Sequence, residues 1–337
     1  MTTDMLHAAA AAMVAPGKGI LAADESSGTI SKRFAALGIP STVELRRQYR
    51  EALLTAPGID SYVSGVILYD ETIRQATSDG TPFPELLASR GILPGIKVDT
   101  GAKSLASAPG ETVTEGLDGL RERIAEYYEL GARFAKWRAV IDIGDGLPTA
   151  NALHANAHAL ARYGALCQEG GLAPIIEPEV LMDGDHDLAT SDRVHHQTQP
   201  EVFAQLRLAG IDLRGMILKP SMVIPGKKGP QVSVQEVAEA TVRCLLDCVP
   251  ASVPGCAFLS GGQSSEVATE HLDAMNRMGP HPWTLTFSYG RALQDDALRT
   301  WGGDANNVKA AQDVLLMRAK NNSLAALGQY DRALESV

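Results

Sequence analysis

Short runs of apolar and β-branched residues recur along the chain, and each gives way to a polar or glycine-rich stretch and then to a segment with helical spacing. Successive runs start roughly 30 to 43 residues apart, which is the length of a strand, a helix and their loops. This rhythm predicts an α/β protein, a (β/α)₈ barrel of the TIM type. The eight predicted strands are residues 19–23, 62–69, 92–98, 133–140, 173–177, 215–219, 256–260 and 284–288.

Helical periodicity lies between these strands and beyond both ends of the series, so we expect extra helices at the N and C termini. Ser233 and Glu236 have the spacing of a capping box, and Gly170 and Gly171 mark a helix end. No linker rich in proline or serine divides the sequence, and we predict that residues 1–337 form a single barrel domain. The clearest predicted helices are residues 42–56, 117–130, 149–169, 233–247, 264–278 and 306–327.

Composition narrows the possible functions. With 45% hydrophobic and 21% charged residues, the 337-residue chain has the composition of a globular protein rather than a disordered or fibrous one. Its formal net charge of −10 makes nucleic acid an unfavourable partner. No apolar stretch is long enough for a membrane span, and no signal peptide is recognised, so we expect a cytoplasmic protein. Cys244 and Cys248, one helical turn apart, are interpreted as packed thiols.

Ionisable residues lie where most of the predicted strands end. Barrel enzymes place their chemistry at the carboxyl ends of the strands, and charges buried there must compensate one another. Because successive residues of a strand face opposite ways, Lys136 and Arg138 share one face, and Glu177 and Glu179 share another. Several such strand ends together favour a functional site over isolated ion pairs. The residues concerned are Asp24, Lys97, Lys136, Arg138, Glu177, Glu179 and Lys219.

The last two predicted strands carry a different signal, because each leads through glycine into a helix. Backbone N–H groups at a helix N-terminus, with a guanidinium beside them, suit a phosphate dianion, and barrels often bind phosphate after strands seven and eight. We therefore predict a phosphate site there. It is formed by Ser260, Gly261, Gly262, Ser288, Gly290 and Arg291.

Lys219 is the candidate nucleophile. It follows an apolar run and precedes a proline, so we expect a buried stem with its amine at the barrel mouth. Neighbouring positive charge, which Lys136 can supply, and burial both favour a free amine that forms a Schiff base. Glu177 offers a carboxyl for proton transfer, and Asp24 can polarise or deprotonate a substrate hydroxyl. These groups indicate carbon–carbon bond chemistry beside the carbonyl of a phosphorylated sugar.

The motifs that carry this chemistry, together with their order, resemble those of the class I (Schiff-base) fructose-bisphosphate aldolase family. They are GILAADES, GIKVD, FAKWR, EPE, DGDHD, LKP, FLSGGQS and FSYGRALQ, and the resemblance extends from about Val14 to about Gln329. It implies reversible cleavage of fructose 1,6-bisphosphate to dihydroxyacetone phosphate and glyceraldehyde 3-phosphate, a step of glycolysis and gluconeogenesis. It also implies that no cofactor or metal is used and that the chain forms a homotetramer.

Residue by residue, the resemblance implies that Lys219 forms the imine and that Glu177 moves protons during imine formation. Asp24, Lys136 and Glu179 would serve the cleavage step and the charge balance around the imine. The implied substrate and phosphate contacts are Ser26, Thr29, Arg33, Lys97, Arg138, Ser260, Gly261, Gly262, Ser288, Gly290 and Arg291. Family members from animals and plants end in a tyrosine, whereas this chain ends in Glu-Ser-Val. We expect the tail after Tyr330 to be dispensable for turnover.

Two other interpretations remain open on the residues alone. Residues 183–187, DGDHD, look like a metal loop, and His154 and His158 have helical i, i+4 spacing, which would suit a metal-dependent phosphosugar aldolase or isomerase. The histidines lack the intervening glutamate of a zincin, and a helix start explains DGDHD better. A non-catalytic phosphosugar-sensing barrel is the second alternative. Within the Schiff-base class, fructose 1-phosphate and sedoheptulose 1,7-bisphosphate are further candidate substrates.

Overall fold

Eight parallel strands close into a barrel in the computed structural model, which describes residues 3–335. Neighbouring barrel strands follow the order β1, β2, β3, β6, β7, β8, β9, β10 and back to β1. The barrel strands are β1 (Gly19–Ala23), β2 (Val63–Leu68), β3 (Leu93–Lys97), β6 (Phe134–Ile141), β7 (Ala173–Val180), β8 (Ile217–Leu218), β9 (Gly255–Phe258) and β10 (Thr284–Tyr289). An antiparallel hairpin of β4 (Gly101–Ser104) and β5 (Thr112–Glu115) lies outside the barrel.

Helices follow the strands and surround the barrel. Among residues 3–335, none of them combines the length and the apolar character needed to cross a membrane. The helices are α1 (Thr3–Met13), α2 (Ser27–Ala35), α3 (Val43–Leu54), α4 (Asp70–Ile73), α5 (Phe83–Ser89), α6 (Leu120–Glu129), α7 (Ala150–Glu169), α8 (Leu188–Leu208), α9 (Val234–Cys248), α10 (Ser265–Arg277), α11 (Arg291–Trp301) and α12 (Val308–Ala326).

The predicted barrel and its terminal helices are confirmed, and the strands differ from the prediction in several of their bounds. The sixth barrel strand, predicted over residues 215–219, contains only Ile217 and Leu218, because a short 3₁₀ turn at Leu213–Gly215 precedes it. The fifth is longer than predicted and continues to Val180. The hairpin after β3 was not predicted. Its two strands have only four residues each, and most of these residues are exposed or partly exposed, so they form no apolar run.

Local capping fixes several helix ends as the sequence indicates. The Ser233 side chain accepts from the Glu236 N–H and the Glu236 side chain accepts from the Ser233 N–H, which is a complete capping box. Helix α7 ends at Gly170, as predicted. Asp187 caps α8 by accepting from the Thr190 N–H, so DGDHD includes a helix start. These caps satisfy the N–H groups that a first helical turn leaves without partners.

Apolar packing closes the amino end of the barrel and leaves the carboxyl end open. Met13 and Val14, at the end of α1, belong to the same buried cluster as Ile20, Ile67 and other inward-facing strand residues. The ring of Phe134 fills the barrel beside β3, where a Cβ on Gly95 would lie only 2.2 Å from it. That approach requires glycine. Since one end is filled, polar side chains at the other end face a single mouth.

Candidate active site

The carboxyl ends of the barrel strands open into a cavity of about 760 Å³. Every residue that the sequence predicted for the site lines this cavity, except Gly262. The parallel arrangement is the reason, because it brings all carboxyl ends to the same face of the barrel. The predicted grouping is therefore found in space, although its members come from strands far apart in the chain.

Four charged side chains form a buried cluster at the centre of the mouth. The Nζ of Lys219 lies 3.1 Å from Oε1 of Glu177, and the Nζ of Lys136 lies 3.3 Å from Oε2 of the same carboxylate. Lys136 also pairs with Asp24, at 2.6 Å. Lys219, Glu177 and Lys136 are each less than 5% exposed. Two lysines and two carboxylates thus compensate one another where water is largely excluded.

Backbone bonds hold Lys219 beside Glu177. The short strand β8 pairs with β7, and just beyond it the Lys219 N–H donates to the Ile176 carbonyl at 2.8 Å. Two residues after Lys219, the Oγ of Ser221 accepts a hydrogen bond from the Val180 N–H at 3.0 Å. These two bonds join the ends of β7 and β8 where regular strand pairing stops. The carboxylate therefore lies on a strand, and the lysine lies directly after one and is tied to the neighbouring strand by a backbone hydrogen bond.

The buried neutral His195 supports this junction. Its Nδ1 lies 2.8 Å from the Ser191 carbonyl oxygen, which can only accept, so Nδ1 carries the hydrogen. Its Nε2 then accepts from the Ser221 hydroxyl at 3.0 Å. Burial lowers the pKa of His195 to about 4 and keeps the ring neutral near pH 7. Sequence reasoning did not single out Ser221 or His195, because no motif links residues on different elements.

The charges at the mouth fix one another's protonation. Burial alone would raise the pKa of Asp24, but the charges of Lys136 and Lys219 outweigh it and lower that pKa to about 2. Burial likewise opposes ionisation of Glu177, and the same two lysines hold its pKa below the usual value. Burial disfavours the charged form of Lys136, yet Asp24 and Glu177 raise its pKa. Before substrate binds, both carboxyls are therefore anionic bases and Lys136 is a cation.

Glu179 and Arg138 continue the charged surface toward the side of the mouth. Arg138 donates to the Glu179 carboxylate, so Glu179 is joined to Arg138 rather than to the central lysines. Lys97 lies next to Lys136 in the register of β3 and β6, and its Nζ donates to Asp99 at 2.6 Å. The predicted cations are thus present on this side, each with a carboxylate partner that the spacing of the motifs did not identify.

The loop after β9 has the backbone conformation expected for anion binding. Gly261 and Gly262 have φ values of +60° and +89°, the left-handed region that other residues rarely adopt. A Cβ on Gly262 would lie 3.3 Å from Nζ of Lys227 and 3.4 Å from Nη2 of Arg291. Two cations therefore converge over the glycine turn. Lys227, which also pairs with Asp183 at 2.8 Å, was missed from sequence because it lies in a loop outside every recognised motif.

The loop after β10 supplies a second set of donors. The Ser288 hydroxyl is buried and has no hydrogen-bond partner among residues 3–335. Helix α11 begins at Arg291 after Gly290, and no side chain caps its first turn. A buried hydroxyl and an uncapped helix start, both lining the mouth, provide donors for an anion.

Ser26, Thr29 and Arg33 line the same cavity but have structural partners. Ser26 caps α2 by accepting from the Thr29 N–H, at 3.3 Å. Arg33 donates to Glu25 and, at 2.8 Å, to Asp295. Its predicted substrate contact therefore competes with two carboxylates, neither of which was recognised from sequence.

The two sequence motifs that suggested a metal enzyme have other partners. Nδ1 of His154 lies 2.9 Å from Glu201, and the His154 and His158 rings stack with centroids 6.2 Å apart. Asp187 is the N-cap of α8, and its side chain accepts a hydrogen bond from the Thr190 N–H. In the part of the chain that the structure describes, neither motif assembles three candidate ligand atoms close together.

Comparison with known proteins agrees with this geometry. A sequence model described as "Fructose-bisphosphate aldolase class-I" matches residues 5–337. A probable fructose-bisphosphate aldolase class 1 from Xanthomonas campestris is 58% identical over 332 residues, which are 98% of this chain and 99% of the relative. A cytosolic fructose-bisphosphate aldolase from Arabidopsis thaliana is 52% identical over 328 residues, covering 97% and 92% of the two chains.

Among solved structures, fructose-bisphosphate aldolase from Plasmodium falciparum, crystallised with TRAP and a small-molecule inhibitor, is similar along almost the whole chain. The TM-score is 0.96 at 46% sequence identity, and the match covers 98% of this chain and 97% of the other. At this identity the likeness extends to sequence as well as to the barrel fold.

Proposed function

The chain belongs to the class I fructose-bisphosphate aldolase family and is a fructose-bisphosphate aldolase, and we propose that it cleaves its substrate through an imine at Lys219. The observation that carries this proposal is the buried Lys219–Glu177–Lys136 cluster at the mouth. The substrates of an aldolase of this kind are a phosphorylated ketose and phosphorylated trioses. The metal-dependent and non-catalytic alternatives have no support from this cluster.

Imine formation begins with proton transfer from Lys219 to Glu177. Their atoms lie 3.1 Å apart, within reach of direct transfer, and the anionic carboxyl is ready to accept. The free amine then attacks the ketose carbonyl carbon, and a proton moves from the attacking nitrogen to the carbonyl oxygen to give a neutral carbinolamine. Glu177, now protonated, returns its proton to the departing hydroxyl, which leaves as water. One carboxyl therefore serves first as base and then as acid.

Cleavage of the carbon–carbon bond has two requirements. A proton must be removed from the hydroxyl on the carbon that becomes the aldehyde, and the electrons of the breaking bond need a sink. The protonated imine is the sink, because its nitrogen accepts the electron pair as an enamine forms. Oε2 of Glu177 is buried, and its contact with Nζ of Lys136, at 3.3 Å, leaves it a lone pair for a substrate hydroxyl. Asp24, with its low pKa, polarises that hydroxyl more readily than it deprotonates it. Lys136 keeps both carboxylates in place.

The two phosphates are assigned to opposite sides of the mouth. One binds to the glycine turn after β9, the Ser288 hydroxyl and Arg291, with Lys227 above it. The other binds near Lys97 and Arg138. Cations on both sides favour a bisphosphate over a ketose with one phosphate, so we rank fructose 1,6-bisphosphate first. Fructose 1-phosphate and sedoheptulose 1,7-bisphosphate are the comparison substrates.

Borohydride reduction tests the imine. With dihydroxyacetone phosphate present, reduction is expected to inactivate the enzyme and leave a stable adduct on Lys219, located by peptide mass mapping. The matched control is Lys136→Ala, which removes the neighbouring buried lysine but leaves Lys219 to be labelled. An adduct on Lys136 in the native protein, or unchanged activity in Lys219→Ala, would overturn the assignment.

We further propose that residues 1–337 act as one domain, in a cytoplasmic homotetramer. A single closed barrel with one mouth supports the first point, and the cytosolic and cytoplasmic names of the plant relatives support the location. The tetramer follows from the family resemblance. Light scattering of the purified chain should give a mass near four times 35.7 kDa, and a monomeric mass would contradict it.

A further inference from the structure

Three candidate metal ligands meet on the outer helices, away from the mouth. His196 belongs to α8, and Cys244 and Cys248 belong to α9, one turn apart on the face that packs toward α8. A ring nitrogen of His196 and the two sulfur atoms all lie within 4.8 Å of one another. Cys244 is buried, and the other two side chains are partly exposed. None of the three lines the catalytic cavity.

Hydrogen bonding orients the His196 ring and makes Nε2 its nitrogen for coordination. Nδ1 lies 2.9 Å from the Asp192 carbonyl oxygen, which can only accept, so Nδ1 carries the hydrogen. In the neutral ring the lone pair is then on Nε2, which lies 3.2 Å from Oδ2 of Asp247. Two lone pairs facing each other repel unless a proton or a metal cation lies between them. A histidine oriented through Nδ1 by a carbonyl is the usual arrangement at a protein zinc site.

Negative charge also lies on the other side of the His196 ring. Asp192 shares its Oδ2 with Arg243 at 2.9 Å, while its Oδ1 is buried, has no hydrogen-bond partner among residues 3–335 and lies 3.3 Å from the His196 ring. The two sulfur atoms lie with a ring nitrogen of His196 inside one 4.8 Å cluster, and the thiolate forms of the cysteines are the ones that bind a metal cation.

We propose that His196, Cys244 and Cys248 bind one Zn²⁺ ion on the outside of the barrel. Thiolate sulfur and imidazole nitrogen are the donors that Zn²⁺ prefers, and a spacing below 4.8 Å allows one tetrahedral ion to reach all three. On binding, the thiol hydrogens leave to solvent as protons, with no change in oxidation state. The fourth position, beside the Asp247 carboxylate, is open to water. The ion joins α8 to α9 and has no part in catalysis.

Cobalt substitution tests the site directly. The full-length enzyme is reduced, treated with chelator and titrated with Co²⁺. One equivalent is expected to give the thiolate-to-cobalt charge-transfer band and the visible bands of a tetrahedral ion, which Zn²⁺ then abolishes. Cys248→Ser and His196→Gln should each weaken binding by at least about tenfold. His154→Gln is the matched control, because His154 also lies beside a carboxylate, and its titration should be unchanged.

A second measurement avoids variants altogether. Zn²⁺ should protect Cys248 from alkylation by iodoacetamide in the native chain, as followed by peptide mass mapping, while the cleavage rate of fructose 1,6-bisphosphate stays the same with or without chelator. Absence of the charge-transfer band at one equivalent of Co²⁺ in the native chain, a band of unreduced intensity at one equivalent in Cys248→Ser, or alkylation unaffected by Zn²⁺ would each overturn the proposal.

Discussion

Replacing Glu177 with glutamine removes the carboxylate 3.1 Å from Nζ of Lys219 while keeping the size of the side chain. Glu177 is 3% exposed, so bulk water cannot take over its proton transfers. General acid–base catalysis is worth about 10²- to 10⁴-fold, which is about 3–5 kcal/mol of barrier. We expect imine formation to slow by that factor. The phosphate contacts are untouched, so the KM for fructose 1,6-bisphosphate should stay within about threefold.

Two opposing effects of this substitution can be separated. Loss of an anion beside Lys219 favours its free amine, so a slower reaction cannot be attributed to a poorer nucleophile. The rate of imine formation is measured by mixing enzyme with dihydroxyacetone phosphate, quenching with borohydride at increasing times and quantifying the labelled peptide. Glu179→Gln is the control, because Glu179 pairs with Arg138 and not with Lys219, and its rate should stay within about threefold. A slowing of less than about tenfold in Glu177→Gln would refute the proton-transfer role.

Three further predictions concern phosphate binding, acid stability and the C-terminal segment. Arg291→Ala should raise the KM for fructose 1,6-bisphosphate about ten- to a hundredfold, because it removes a charge-assisted contact worth about 1.5–3 kcal/mol. Lys227→Ala should raise the KM by a smaller factor. An unchanged KM in Arg291→Ala would place the phosphate elsewhere. Asp24 has a pKa of about 2, below its ordinary 3.8, so its ionised form stabilises the fold above that ordinary value. About 2 kcal/mol should be lost as pH falls through 3.8 toward 2, and urea unfolding at several pH values should show a smaller loss in Asp24→Asn; equal losses would contradict this. Glu335→Gln should lower the free energy of unfolding by about 3–5 kcal/mol, because it leaves the buried Arg318 without its carboxylate partner. The kcat should stay within about threefold of the native value. An unchanged Tm in calorimetry would contradict the predicted loss of stability.

The Glu335 contact changes the view of the tail that the sequence gives. In the sequence, residues 331–337 follow Tyr330 and include no tyrosine. In the structure, Glu335 accepts from Arg318, which is 1% exposed, and from the Tyr330 hydroxyl at 2.7 Å. The expectation that the tail is dispensable for turnover remains a prediction. For stability, the contact predicts the opposite, and nothing in the local sequence pairs Glu335 with Arg318.

The order of the elements and the location of the site were determined by the sequence itself. Apolar runs at the repeat of a βα unit specify parallel strands, and parallel strands place all their carboxyl ends on one face. For this reason the sequence alone predicts that Asp24, Lys136, Glu177 and Lys219 meet at one mouth. Hydrophobic period and strand-end polarity are properties of neighbouring residues, and they can be recognised in a single chain.

The pairing of individual groups was decided by the tertiary structure alone. The register between β6 and β7 places Arg138 beside Glu177, yet the Arg138 side chain pairs with Glu179. Lys136 pairs with Asp24, which follows a different barrel strand far away in sequence. Likewise, α8 and α9 bring His196 to Cys244 and Cys248 only by packing side by side. Ion pairs and ligand sets depend on distances of about 3–4 Å between residues far apart in sequence. Such distances follow from strand register and helix packing, which periodicity does not specify.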